Sequence, residues 1–163
     1  KDVEIKYTYG GQFNGDANIT AKMEGWYADG TEVVFACGGG IYTSAVEAAN
    51  QYNGKVIGVD VDQSSIDPCI ITSATKGLYS ATYSALDTYF TGKWDTVGGT
   101  LANLSLAQGD YVGLPTDTWS MKNFTVDEYN KLVEDIKNGT VQISDSIDAM
   151  PEVGSHVTLT KID

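Results

Sequence analysis

Between Val3 and Asp60, three strand-like runs alternate with two helix-like runs, and that alternation limits what the chain can fold into. VEIKYTY places Val3, Ile5, Tyr7 and Tyr9 at period two and stops at Gly10-Gly11. Ala17 to Asp29 carries Ile19, Met23, Trp26 and Tyr27 at helical spacing and stops at Gly30. EVVFAC is continuously apolar, as expected of a strand covered on both faces, and is broken by Gly38-Gly39-Gly40. Ala45, Val46, Ala49 and Tyr52 line one face of a second helix that ends at Asn53-Gly54. VIGVD, Val56 to Asp60, is the third strand. Short β-α-β-α-β connections require parallel strands with right-handed crossovers and helices on the sheet faces. The predicted fold is α/β, a Rossmann-like, doubly wound, mostly parallel sheet.

The pattern loosens further on. CIITS, Cys69 to Ser73, predicts a fourth strand. Leu78, Ala81, Ala85, Leu86, Tyr89 and Phe90 predict a helix closed by Gly92. TLANLSL-AQGD-YVGLP reads as an antiparallel hairpin turning near Gly109-Asp110. Thr125 and Glu128 form a capping box before Tyr129, Leu132, Val133 and Ile136. VQIS and HVTLTKI are two short terminal strand candidates. With 163 residues and no low-complexity linker, residues 1–163 read as a single domain.

Charge and motif content exclude several functions. The net charge is −12, and all ten basic residues are Lys. Nucleic acid and anionic membranes both need a basic face, so neither is an expected partner. Cys37 and Cys69 lie in apolar runs and are expected to be buried free thiols. No metal and no cofactor are expected: His156 is the single histidine, and no P-loop, GxGxxG, HExxH or GxSxG pattern occurs. The residues point to binding rather than to an enzyme.

Open α/β sheets bind ligands outside the carboxyl ends of their strands. Three loops qualify, and they bring Phe13, the run Gly38, Gly39 and Gly40 with Tyr42, and Asp60 to one rim. A carboxylate such as Asp60 accepts hydrogen bonds from two adjacent hydroxyls, which suits a ribose diol. Phe13 or Tyr42 can stack on a flat ring. Glycines let backbone N–H groups approach a ligand, and the helix start after them carries unsatisfied donors. Each residue also has a plainer role. Asp60 can be a turn residue and the glycines a tight strand-to-helix turn; Asp62 and Gln63 suit loop hydrogen bonds better than ligand contacts.

EVVFACGGG, GVDVDQ and ITSATK, in that order and spacing, resemble the basic membrane protein family of ABC-transporter solute-binding lipoproteins, which includes bacterial purine nucleoside receptors. The resemblance runs from about Val3 to Ser144, through YTYGGQFNGDANITAKMEGWYADGTEVVFACGGGIYTSAVEAANQYNGKVIGVDVDQ and ITSATKGLYSATYSALDTYFTGKW. It implies a lobe of the type I periplasmic-binding-protein kind, with ligand clamped between two lobes. It implies that Asp60 binds the ribose hydroxyls, that Lys76 reaches the ligand, that Phe13 lies near the base, and that Gly38, Gly39 and Gly40 line the cleft. It also implies an ABC permease as partner, a site outside the cell membrane, and membrane attachment only through a lipid anchor on a first lobe that this chain lacks. The chain then corresponds to the second lobe, as a truncated fragment. The helix within residues 77–93 would belong to the first lobe, leaving its apolar face to fold back or to pair in a homodimer. A sugar or other small polar metabolite is the alternative ligand, and a nucleotide-binding Rossmann-like enzyme domain the alternative class.

Overall fold

The computed structural model describes residues 2–144, 146 and 150–162; Lys1 lies outside them. The first strand, β1, spans Val3–Tyr7 and leads into α1, Ala17–Ala28. Asp16 caps that helix, its Oδ1 accepting from the Ile19 N–H at 2.9 Å. β2, Val33–Phe35, is followed by α2, Tyr42–Tyr52. Asn53 ends α2 in the left-handed region at φ 54°, and the Gly54 N–H returns to the Ala49 carbonyl at 2.9 Å. β3, Lys55–Asp60, and β4, Ile70–Lys76, complete the regular half of the molecule. Then come α3, Leu78–Phe90, β5, Val112–Gly113, α4, Val126–Lys137, and β6, Val157–Lys161.

The main sheet has the order β2-β3-β4-β5, with β2, β3 and β4 parallel and β5 antiparallel to β4. One face is covered by α1 and α2. Their seam is built on small residues: Ala48 and Ala49 are fully buried, and Ala45, Met23 and Tyr27 pack with Val34, Val56 and Ile70 beneath them. Polar ties hold the seam at its margins. The Thr20 hydroxyl donates to Glu47 at 3.1 Å, Gln51 to Glu24 at 2.7 Å, and the Tyr27 hydroxyl to the Lys55 carbonyl at 2.7 Å. Burial pushes the Tyr27 hydroxyl pKa well above its usual range, so it remains a donor.

The α/β, mostly parallel architecture is the predicted one, with four differences. First, β1 does not join β2. It pairs in parallel with β6 in a separate two-stranded sheet, Val3 opposite Val157 and Tyr7 opposite Lys161. Second, β2 is not covered on both faces. Val34 and Ala36 are buried against the helices, while Val33 and Phe35 are 39% and 50% exposed on the other side. Third, the expected hairpin does not form. Tyr111 to Gly113 pairs with the free edge of β4 instead, the Gly77 N–H bonding the Tyr111 carbonyl at 2.7 Å, and residues 100–105 form no strand. That edge offers a ready ladder, whereas Leu101 finds nothing to pack on and is fully exposed. Fourth, residues 141–144 form no strand.

Candidate ligand site at the carboxyl ends of the strands

Asp60 terminates β3 with φ 70°, a left-handed conformation that side-chain-bearing residues rarely adopt. The Val61 N–H bonds the Val59 carbonyl at 2.8 Å across it, which makes Asp60 the centre of a three-residue γ-turn of the strained hand. Four side chains hold the turn. Gln63, buried, accepts through Oε1 from the Val59 N–H at 3.1 Å and donates its own backbone N–H to Ser73 Oγ at 3.0 Å. Asp62 accepts from the Ser64 N–H at 3.0 Å and from the Thr118 hydroxyl at 2.7 Å. Those two donors, the backbone N–H first, lower the Asp62 pKa, so it stays a charged acceptor. Asp62 and Gln63 therefore serve the loop, as their residue types suggested.

Lys76 ends the neighbouring strand. Register places Asp60 opposite Thr75, and the Lys76 Nζ stands 2.7 Å from Asp60 Oδ1. The pair is partly open, with side chains 59% and 34% exposed for Lys76 and Asp60. Close contact with the Asp60 carboxylate, and then its charge, raise the Lys76 pKa. Asp60 Oδ1 is shielded from solvent, with the Lys76 ammonium as its close neighbour. A carboxylate has several lone-pair sites, so one ammonium partner does not exhaust its capacity to accept.

The other predicted residues fall on two neighbouring loops. Phe13 is 74% exposed and lies against the glycine run. A Cβ on Gly39 would come within 3.3 Å of Phe13 Cβ and of its carbonyl oxygen, and Gly39 has φ 43°, so a side chain there would be both crowded and strained. Asn14 and Gly40 form a parallel bridge that fastens the two loops. Tyr42 begins α2 and is half-buried against the core cluster. Two donors expected free at that helix start are used locally: the Thr43 N–H bonds the Gly40 carbonyl and the Ser44 N–H the Ile41 carbonyl, both at 3.2 Å.

Cys37 departs from expectation: it is exposed, two residues beyond the end of β2. Cys69 is buried, and both thiols are free. Sequence reasoning missed the segment 114–124. Ser120 Oγ donates to the Ile71 carbonyl at 2.7 Å, Thr118 holds Asp62, and Trp119 packs on Tyr129 with its Nε1 donating to the Phe124 carbonyl at 2.8 Å. No local pattern announces the Ser120–Ile71 and Thr118–Asp62 contacts, formed across more than forty residues. His156 lies at the other end of the chain, its Nδ1 2.9 Å from Asp2. Among the described residues no cluster of His, Cys, Asp and Glu could hold a metal ion, and no helix is long and apolar enough to cross a membrane.

Residues 1–146 match the family described as Bmp, ABC transporter substrate-binding protein PnrA-like. No curated protein matches the chain. Solved structures share its fold, two of them as follows. One is a transcriptional activator of the comK gene from Bacillus halodurans, 17% identical, with a TM-score of 0.61 over 82% of this chain and 45% of that one. The other is an ABC transporter system solute-binding protein from Aeropyrum pernix K1, 18% identical, with a TM-score of 0.61 over 84% of this chain and 46% of that one. The chain thus spans less than half the length of either.

Proposed function

Because the chain belongs to the Bmp family of PnrA-like ABC transporter substrate-binding proteins, we propose that it is the second lobe of a solute receptor that captures a purine nucleoside between two lobes and presents it to an ABC permease. The receptor works at the outer face of the cell membrane, held by a lipid anchor on the first lobe. The observation that carries the ligand assignment is the Asp60–Lys76 pair, 2.7 Å apart at adjacent strand ends, with Asp60 fixed in a strained turn. Asp60 accepts from both ribose hydroxyls, Lys76 neutralises the carboxylate and donates to the ligand, and the exposed Phe13 ring stacks on the base. The glycine run gives the ligand access to backbone N–H groups. No group transfer is involved; closure of the lobes around the ligand is the functional event.

The same reading assigns α3 to the first lobe. None of its residues is buried, and Tyr79 and Phe90 are 81% and 79% exposed. In the isolated chain this face associates with a second copy.

Calorimetric titration of the full two-lobed receptor with inosine, guanosine, adenosine, cytidine and ribose tests the assignment. Purine nucleosides are expected to bind at least about 100-fold more tightly than ribose, a difference of about 2.7 kcal/mol. Equal or tighter binding of ribose would transfer the site to a sugar.

A further inference from the structure

Two open strand edges border one groove. β1 spends one edge on β6: the Val3 N–H bonds the His156 carbonyl and the Ile162 N–H bonds the Tyr7 carbonyl, both at 2.8 Å. Odd-numbered residues therefore carry that ladder, and the backbone groups of Glu4 and Lys6 point to the opposite edge. β2 spends one edge on β3: the Lys55 N–H bonds the Glu32 carbonyl at 3.0 Å and the Ala36 N–H bonds the Ile57 carbonyl at 3.2 Å. Even-numbered residues carry that ladder, so Val33, Phe35 and Cys37 present their backbone groups to the other side. No pairing joins β1 to β2. A groove of about 1440 Å³ runs along both, lined by the consecutive residues of each strand and floored by Ile19, Met23 and Trp26 of α1. The Asn14–Gly40 bridge ties the loops that leave the two strands.

We propose that this groove is the slot of one further β-strand, parallel to β1 and β2 and supplied by polypeptide of the same protein outside residues 1–163. Two facing rows of backbone donors and acceptors are satisfied together by an extended segment and by nothing smaller. Inserting it joins the two sheets into one of order β6-β1-insert-β2-β3-β4-β5, with every strand but β5 parallel. Direction follows from the neighbours: β1 is parallel to β6, β2 is parallel to β3, and the Asn14–Gly40 bridge between the loops that leave β1 and β2 is parallel as well. Composition follows from the walls. One face of the insert meets the apolar floor of α1, and the other is flanked by Val3, Ile5, Val33 and Phe35, which are 50%, 44%, 39% and 50% exposed. The occupant is therefore a short run that is apolar on both faces, the pattern of a central parallel strand. Its source follows from length: the part of this chain that matches two solved structures of this fold covers only 45% and 46% of them. The inference rests on the sheet and not on the nucleoside assignment.

Residue-resolved amide hydrogen exchange on the full-length receptor tests it, with the 163-residue chain as reference. In the full-length protein the amides of Glu4, Lys6, Val33 and Phe35 are expected to exchange about 100-fold or more slowly than in the 163-residue chain. Nuclear Overhauser contacts from those amides to a parallel apolar segment outside residues 1–163 would identify the insert. Fast exchange at these four amides in the full-length protein, beside protected Ile5 and Ala36, would overturn the proposal. So would contacts to a second copy in a mixed-label sample, or a native protein that consists of these 163 residues alone.

Discussion

Asp60 adopts a backbone conformation that costs a non-glycine residue about 1–3 kcal/mol, and it does so at a strand end where glycine would do so freely. The strain is explained if the carboxylate, not the turn, is what the position needs. An Asp60→Gly variant is then expected to be as stable as the parent or up to about 1 kcal/mol more stable in urea denaturation, while losing nucleoside binding. The two thiols make a second contrast. Burial first, and then the Asp67 carboxylate, push the Cys69 thiol up to about 12, whereas Cys37 is exposed. A thiol reagent at about pH 8 should label Cys37 alone in the native protein and both residues after denaturation. The folded state keeps the Cys69 proton to higher pH than the unfolded state, whose thiol ionises near 9. Its contribution to stability is therefore intact below about pH 9 and is lost as pH rises toward 12. Urea midpoints at about pH 8 and pH 11 check this: the parent should lose more stability between them than Cys69→Ala does.

At the scale of elements, the Asn53-Gly54 stop and the Thr125–Glu128 capping box are written in single side chains, and α2 ends and α4 begins beside them, whereas the Asp16 cap of α1 emerges only in the structure. Periodicity alone located α3, although none of it is buried. What sequence could not supply was pairing. YVG joins β4 rather than TLANLSL because an open edge elsewhere competes with a weak hairpin turn, and β1 stands apart from β2 because strand order is a tertiary fact. The site divides in the same way. As candidates, Asp60, Phe13, Tyr42 and the glycines follow from the rule that strand ends form the rim, and Lys76 from the family resemblance. The Thr118–Asp62 clasp needs the folded chain. Gln63 ties these levels together by joining the turn to β4. Replacing it with Ala leaves the Val59 N–H unpaired in the interior and should cost about 1–3 kcal/mol in urea denaturation. It should also weaken ligand binding, because the turn that aims Asp60 loosens.

For the whole molecule, half a cleft is a poor binder. On the proposed two-lobed reading, the opposite wall would supply the remaining hydrogen bonds at about 1 kcal/mol each and exclude water, so the 163-residue chain should bind nucleosides orders of magnitude more weakly than the two-lobed receptor. Its exposed α3 face should instead make it self-associate. Sedimentation of a Tyr79→Ser, Phe90→Ser variant is expected to shift toward monomer, and an unchanged dimer would place the contact elsewhere. The acidic surface, with a net charge of −12, favours an uncharged ligand over a phosphorylated one. All these points converge on one carboxylate, so the decisive measurement is calorimetric titration of inosine into the two-lobed receptor and into its Asp60→Ala variant. The account predicts tight binding by the parent and a loss of about 100-fold or more in a variant that remains folded. Equal affinity in the two would contradict the ribose clamp and with it the central reading of the site.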